Sequence, residues 1–464
     1  MQSLWWDGAH MPSFSPLSGD RSVDTLIVGG GMAGLLTAYM LRRAGADFML
    51  IDSGRLMGGV SGSTTGKITA LHGAVFAGLI RRFGTARTRA YYEANTAAIR
   101  KYHSVCDAVG CGIEDRAAYV YSRDNAEKIK KEYAALHRIG AQAELSGCPG
   151  LPFGVAAAVK LDGQAQFDPL EFAAAVVSTL PADRIHEHTA ARAFAGCDVL
   201  TDRGKIHARR VVIATHFPVI NSHGFYYLKM YQHRSYVLAL SGAPRVDGMY
   251  ADEKSGGLSF RDAGGYLLIG GCGKRTGKKC GGWSELGEFA KKHYPNASAA
   301  FRWATQDCMT LDGIPYIGRY SSGRGADGLY VATGFNKWGM SGSMVAAMLL
   351  SDIILGKENR FESVFRPFGA DGASRTPLRP QLLSNAGHAL AGWITPTVPR
   401  CPHLGCRLEW NPDDKSWDCP CHGSRFDKFG NVISAPAHCN LRSHTRLAEE
   451  SASKKKEKAK SKTE

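Results

Sequence analysis

Hydrophobic positions change their period several times along the chain, and the changes mark out its elements. Thr25-Leu-Ile-Val28 is a short apolar run, Met32 to Ala44 carries apolar residues at helical spacing, and Phe48 to Ile51 is apolar again. The order predicts strand, helix, strand: a β-α-β unit. Helical spacing returns at 85 to 109 and 124 to 139. Another helix is expected after Asp168-Pro169, because aspartate suits an N-cap and proline a first turn. From 184 to 215 the alternation reads as a strand meander that turns at Asp202-Arg-Gly204 and ends in Val211-Val-Ile213, and further strands are expected at 236 to 241 and 266 to 270. Leu329 to Ala332 reads as a buried strand, and Ser341 to Leu355 as a long apolar helix stopped by Gly356. Residues 1 to 22 show neither period, and Trp5 and Trp6 in this arm are expected to pack on the body.

These changes divide the chain into an arm (1 to 22), a large domain (23 to 368), a linker rich in Gly, Pro, Ser and Arg (369 to 384), a small cysteine-dense module (385 to 450) and a disordered lysine-rich tail (451 to 464). A length of 464 residues has room for that many units. Apolar runs long enough to span a membrane are missing, as is a basic segment followed by an apolar stretch at the N-terminus, so a cytoplasmic protein is expected. Arg42 and Arg43 fall inside a predicted helix, where they cannot act as an export signal. The net charge is +15, of which the tail supplies +4. A basic body attracts anions: a pyrophosphate, an acidic substrate or an anionic membrane face. Nucleic acid is not expected, since no recognition motif accompanies the charge. Peripheral membrane contact and oligomeric state are left open.

Gly29, Gly31 and Gly34 form G-x-G-x-x-G directly after a strand and at the head of a helix. The glycines allow a tight turn, close approach to a pyrophosphate and close packing of helix on strand, while the helix N-terminus faces the phosphate charge. Asp52 ends the second strand, where a carboxylate can accept hydrogen bonds from a ribose. The motif alone does not separate FAD from NAD. Asp312-Gly-Ile-Pro-Tyr-Ile-Gly318, Gly328-Leu-Tyr-Val-Ala-Thr-Gly334 and Val211-Val-Ile-Ala-Thr215 resemble the D-amino-acid oxidase and glycine oxidase family of FAD enzymes over residues 24 to 356. The resemblance implies an α/β (α+β) fold: a Rossmann-like FAD domain interleaved with a mixed-sheet substrate domain. It also implies that the backbone of Gly334, Phe335, Gly339 and Met340 contacts the flavin, with Lys337 either beside the ring or facing solvent. Ser61 to Thr69, including Thr65, would form a polar loop under the flavin, and Lys67 and His72 are candidates for substrate-side chemistry.

The densest chemistry is Cys401-Pro-His403-Leu-Gly-Cys406 followed by Cys419-Pro-Cys421-His422-Gly-Ser424. Two loops that each offer a thiolate and an imidazole suit a diiron cluster with two sulfur and two nitrogen ligands. A zinc knuckle is the alternative, but this residue order suits zinc poorly. The pattern resembles the Rieske 2Fe-2S family, which implies Cys401, His403, Cys419 and His422 as ligands and a disulfide between Cys406 and Cys421, a bond that is less expected in a reducing compartment. Phe426 stands where many high-potential relatives carry a tyrosine, so a lower potential is expected. The short stretch before Cys401 suggests a trimmed module that leans on the flavin domain. With Lys337-Trp-Gly-Met340 in the flavin turn, the combination resembles the bacterial YhfW-type FAD oxidoreductases with a fused Rieske domain.

His186 and His188 flank Glu187 and are expected to alternate on one strand face, but they lack the partner carboxylate of an open iron site. Cys308 lies near Asp312 at a spacing that argues against covalent flavin, and Cys272 and Cys280 read as structural. The expected activity is a dehydrogenase that takes electrons from a small amine or amino-acid-like substrate through FAD to the cluster and on to an external acceptor. An oxygen-using oxidase with a structural cluster, and a redox-sensing or electron-carrier protein without a substrate, are the competing readings.

Overall fold

The computed structural model describes residues 2–368 and 398–441, together with positions 383, 387 and 390. The lysine-rich tail, all of the expected linker except position 383, and the margins of the cysteine module apart from positions 387 and 390 lie outside the described residues.

The first sheet runs Tyr316–Arg319, Leu329–Thr333, Lys205–Ile213, Arg21–Val28, Phe48–Ile51, Ile185–His186. All neighbours pair in parallel except the edge strand Tyr316–Arg319. Its central residues Leu26, Ile27, Leu50, Val211 and Val212 are wholly buried, as parallel strands covered on both faces must be. The strand expected at Thr25 begins at Arg21, because its polar first half pairs with Ile206 to Ala208. The turn at Asp202 to Gly204 closes a hairpin, and Ala191–Ala195 folds back as its outer strand. Helices Met32–Arg43 and Gly339–Ile354 pack against each other on one face of this sheet.

The second sheet runs Ser298–Thr310, Met230–Ser241, Tyr266–Arg275, Ser259–Ala263, Met249–Asp252, Glu114–Ser122, Ala157–Gln166, Lys67–Ile68. Its long strand Ser298–Thr310 escapes a pattern search because it mixes Arg302, Gln306 and Asp307 with its apolar positions. The helix expected from 85 begins at Phe76 and bends at Gly84, where φ is 79°. Helix Pro169–Val177 starts as expected, with the Asp168 carboxylate accepting from Leu170 N at 2.8 Å and Glu171 N at 3.1 Å.

The arm is ordered by its tryptophan: Trp5 is buried, and its Nε1 donates to Thr64 O at 2.7 Å. Glu187 is buried too, accepting from Phe14 N at 3.0 Å and Leu56 N at 2.7 Å. That corrects the expected face of alternating histidines. The strand ends at His186, and His188 takes a left-handed φ of 48°.

A third, antiparallel sheet of Glu409–Asn411, Ser416–Asp418, Arg425–Asp427 and Val432–Ser434 closes around its own small core of Leu408, Phe426 and Ala437. It sits against the second sheet, as the shortness of the module suggests. Asp414 bridges Arg234 of that sheet and Arg425 of its own, the latter at 3.0 Å, and Arg425 reaches Asp418 at 2.9 Å. All four side chains are less than 10% exposed.

Candidate functional site

The turn after Arg21–Val28 is fixed by backbone contacts that leave no room for side chains. A Cβ on Gly34 would lie 1.9 Å from Gly29 O, and one on Gly29, whose φ is +113°, would lie 2.6 Å from Ala214 O. Gly34 therefore brings helix onto strand and does not itself reach the ligand. The Asp52 carboxylate accepts from Gly30 N at 2.6 Å and Gly54 N at 2.7 Å, so it braces the turn while keeping lone pairs for a ribose. Burial raises its pKa. Ser61 Oγ accepts from Met32 N at 2.9 Å, which ties the polar loop to the head of the helix.

A cavity of about 940 Å³ opens here, at the upper end of the range for small-molecule and cofactor sites. Gly29, Gly31, Asp52, Ser61, Thr65, Phe335, Gly339 and Met340 line it, as do Lys67, His72 and Lys337. Gly334 does not, because it packs behind the turn, where its Cβ position is 2.3 Å from Thr310 Cγ2.

His72 has both of its ring nitrogens engaged. Its Nδ1 pairs with Tyr91 Oη at 2.6 Å, its Nε2 with Thr69 O at 2.7 Å and Ser341 Oγ at 3.0 Å, and the ring stacks on Trp338. With both nitrogens engaged and burial pushing its pKa down to about 3, it is a neutral brace for the flavin turn. Lys67 differs. Burial, reinforced by the Arg261 charge, pushes its pKa down to about 7. Lys337 is not a solvent-facing lysine: its Nζ donates to Ser235 Oγ at 3.0 Å, and burial lowers its pKa against the opposing pull of Asp307. Asp307 is pushed up to about 6 by its own burial.

The two cysteine loops have the same backbone. Cys401 N donates to Cys406 O and Gly405 N to Cys401 O; Cys419 N donates to Ser424 O and Gly423 N to Cys419 O, at 2.8 and 2.9 Å in each loop. Gly405 and Gly423 close the turns at φ of 76° and 85°. This shared turn carries a thiol and an imidazole from each loop to one place. The rings of His403 and His422 are 4.9 Å apart, Cys401 and Cys419 are buried free thiols, and Cys406 and Cys421 are joined by a disulfide. Burial pushes His403 down to about 4 and His422 to about 3, so both imidazoles are neutral, the form that ligates. His403 Nδ1 is buried without a hydrogen-bond partner among the described residues, and the donor set is two thiols and two imidazoles. These residues fit a Rieske cluster. Phe426 is wholly buried and offers no donor to it.

Several residues at the meeting of the two sites carry no sequence signal. His216 lines the cavity, and its neighbour Phe217 lies edge-on to His422 with centroids 6.3 Å apart. Tyr227 stands 6.4 Å from His403 and 6.0 Å from His422. From the small module, Val432 to Ala435, Ala437 and His438 line the same cavity as the glycine turn. Such residues are scattered over loops and strand ends, so only the fold brings them together.

The family model for FAD dependent oxidoreductases matches residues 24–353, and that for the Rieske [2Fe-2S] domain matches residues 391–445. The putative Rieske 2Fe-2S iron-sulfur protein YhfW of Bacillus subtilis is 33% identical, over 94% of this chain and 96% of its own length. Glycine oxidase from Geobacillus kaustophilus shares the fold with a TM-score of 0.62 at 20% identity, over 77% of this chain and 99% of its own. L-proline dehydrogenase from P. horikoshii does so with a TM-score of 0.62 at 18% identity, over 75% and 97%. Glycine turn, cavity and paired cysteine loops thus meet in one chain that belongs to the FAD-dependent oxidoreductase family and carries a Rieske [2Fe-2S] domain, with FAD and a 2Fe-2S cluster as its cofactors.

Proposed function

We propose that this chain oxidises a small amine or amino-acid-like substrate in its cavity and that the electrons leave through the cluster to an external acceptor. The observation that carries the reading is the shared wall: residues 432 to 435 of the cluster module line the same cavity as Gly29, Gly31 and Asp52. When bound, FAD supplies a hydride acceptor and the cluster a one-electron carrier.

The chain's own residues hold and prepare the substrate. An amine must lose its ammonium proton before a hydride can leave, and Lys67 Nζ, with its pKa near 7, is poised to take that proton at neutral pH. Lys337, anchored on Ser235, offers a cation to an anionic group in the cavity. Trp338, held by His72, closes part of the wall against water. The basic composition favours a small anionic or zwitterionic substrate, and a cytoplasmic location is part of this proposal.

The test is anaerobic mixing of the holoprotein with a panel of amino acids and small amines, following flavin absorbance and then the EPR of frozen samples. A compound that bleaches the flavin is expected to yield the reduced-cluster signal as well. A bleached flavin beside a fully oxidised cluster contradicts the proposal and favours an oxygen-using oxidase.

A further inference from the structure

The second cluster loop presents four successive carbonyl oxygens to the flavin-side sheet, and each accepts a hydrogen bond from it. Arg275 Nε donates to Pro420 O at 2.8 Å and its second guanidinium nitrogen to Cys421 O at 3.0 Å. Gln232 Nε2 donates to His422 O at 2.7 Å, and Gln306 Nε2 to Gly423 O at 2.8 Å. The three donors come from three adjacent strands, Met230–Ser241, Tyr266–Arg275 and Ser298–Thr310.

The glutamines form a saturated network. Gln306 Nε2 also donates to Gln232 Oε1 at 2.7 Å, Thr276 Oγ1 donates to Gln306 Oε1 at 3.0 Å, and Gln232 Nε2 reaches Ala435 O at 3.1 Å. Gln232 and Gln306 are 2% and 5% exposed. Buried amides whose hydrogen-bonding groups are all used have one orientation available, so the network holds the loop in one position. Contact is close enough that a Cβ on Gly423 would meet Gln232 at 2.6 Å.

Arg275 adds charge to this geometry. Its guanidinium is bonded to the carbonyls of Pro420 and Cys421, the two residues that lie between the ligands Cys419 and His422 in the chain. Reduction adds an electron to the cluster, and a fixed cation beside one of its ligand loops favours that state.

We infer that Arg275, Gln232 and Gln306 are positioning residues through which the flavin domain clamps the Cys419 to Gly423 loop, and that Arg275 raises the cluster's reduction potential. The inference rests on the Rieske assignment of the loop and not on electron flow from the flavin. It makes the module a fixed part of the cavity wall rather than a tethered carrier. In the absence of a tyrosine at 426, it also transfers part of the cluster's tuning to a residue outside the module.

The test uses full-length holoprotein in wild-type, Arg275→Gln, Arg275→Lys and Gln306→Met forms, with two readouts that need no substrate. In EPR-monitored redox titration, Arg275→Gln is expected to lower the cluster midpoint while leaving the flavin midpoint in place, and Arg275→Lys, which keeps the charge, to stay near wild type. In hydrogen exchange, the amides of Cys419 and Gly423 are expected to exchange about tenfold faster in Gln306→Met, the effect of losing one buried hydrogen bond. An Arg275→Gln cluster that titrates at the wild-type potential overturns the tuning, as does an equal drop in Arg275→Lys. Unchanged loop exchange in Gln306→Met overturns the clamp. Neither readout depends on flavin-to-cluster transfer, so failure of the proposed relay leaves both standing.

Discussion

Two walls of one cavity are built on opposite principles. The nucleotide wall is local: strand, glycine turn, helix, second strand and Asp52 all fall within Arg21 to Asp52. It is shaped by backbone groups that approach where glycines carry no side chain. The cluster wall is local only in its ligands. The two loops occupy Cys401 to Ser424, but the second is seated by hydrogen bonds from Gln232, Arg275 and Gln306, and the segment between the loops by the Arg234–Asp414 ion pair, each donor more than a hundred residues before its partner. A local site survives as a recognisable stretch of chain, whereas a borrowed one exists only in the folded molecule. The nucleotide wall should therefore tolerate damage to the cluster wall, whereas the cluster wall should fail when its seat on the second sheet is damaged and not when the glycine turn is.

The harshest way to break the comparison is Asp414→Asn. It leaves the buried guanidiniums of Arg234 and Arg425 facing each other without their shared carboxylate, and losing one member of a buried ionic set costs roughly 3–5 kcal/mol. Urea denaturation followed by cluster absorbance and by flavin fluorescence is expected to show the cluster lost well before the flavin. Coincident loss would mean that the two walls fold as one unit.

Gly34→Ala tests the other wall. Its methyl group would press on Gly29 O, and overpacking strain of roughly 1–3 kcal/mol, if felt in full by the bound state, lowers FAD affinity roughly 5- to 150-fold. Titration of the apoprotein with FAD measures this, and the cluster's EPR signal is expected to persist. A smaller change, Phe426→Tyr, sharpens the cluster side: a phenol donor in the small core that Phe426 shares with Cys401 and Cys419 is expected to raise the cluster midpoint, read by redox titration.

A last effect concerns Lys67, on the cavity side of the nucleotide loop. Its folded pKa is about 7 against an ordinary 10.5, so between those pH values the unfolded chain binds a proton that the folded chain has released. Unfolding then becomes harder as pH rises through that window, and below about pH 7 the penalty of burying the charge is fully present. The melting temperature of wild type relative to Lys67→Met is expected to rise from pH 7 to pH 9. A constant difference would place Lys67 in a solvated setting.

The same contrast explains what the sequence disclosed. The β-α-β unit, the Asp168-Pro169 helix start and the two cysteine loops were legible because their chemistry is set by neighbours in the chain. For His72 the sequence shows a histidine in a polar loop, and only the fold shows that Tyr91, Thr69 and Ser341 engage both of its nitrogens. Gln232 and Gln306 gave no signal, since isolated glutamines on long strands carry no pattern until the register places both beneath one loop. His216 and Phe217 were hidden in the same way, in a segment that follows an apolar strand and has no periodicity of its own.

The central claim is that flavin and cluster exchange electrons within one molecule. Laser-flash reduction of the flavin in the anaerobic holoprotein, with cluster absorbance followed over a range of protein concentrations, tests it most directly. The account predicts that the cluster is reduced as the flavin reoxidises, at a first-order rate independent of concentration, and that this phase vanishes in Cys419→Ser. A cluster that stays oxidised, or one reduced at a rate proportional to protein concentration, would contradict it.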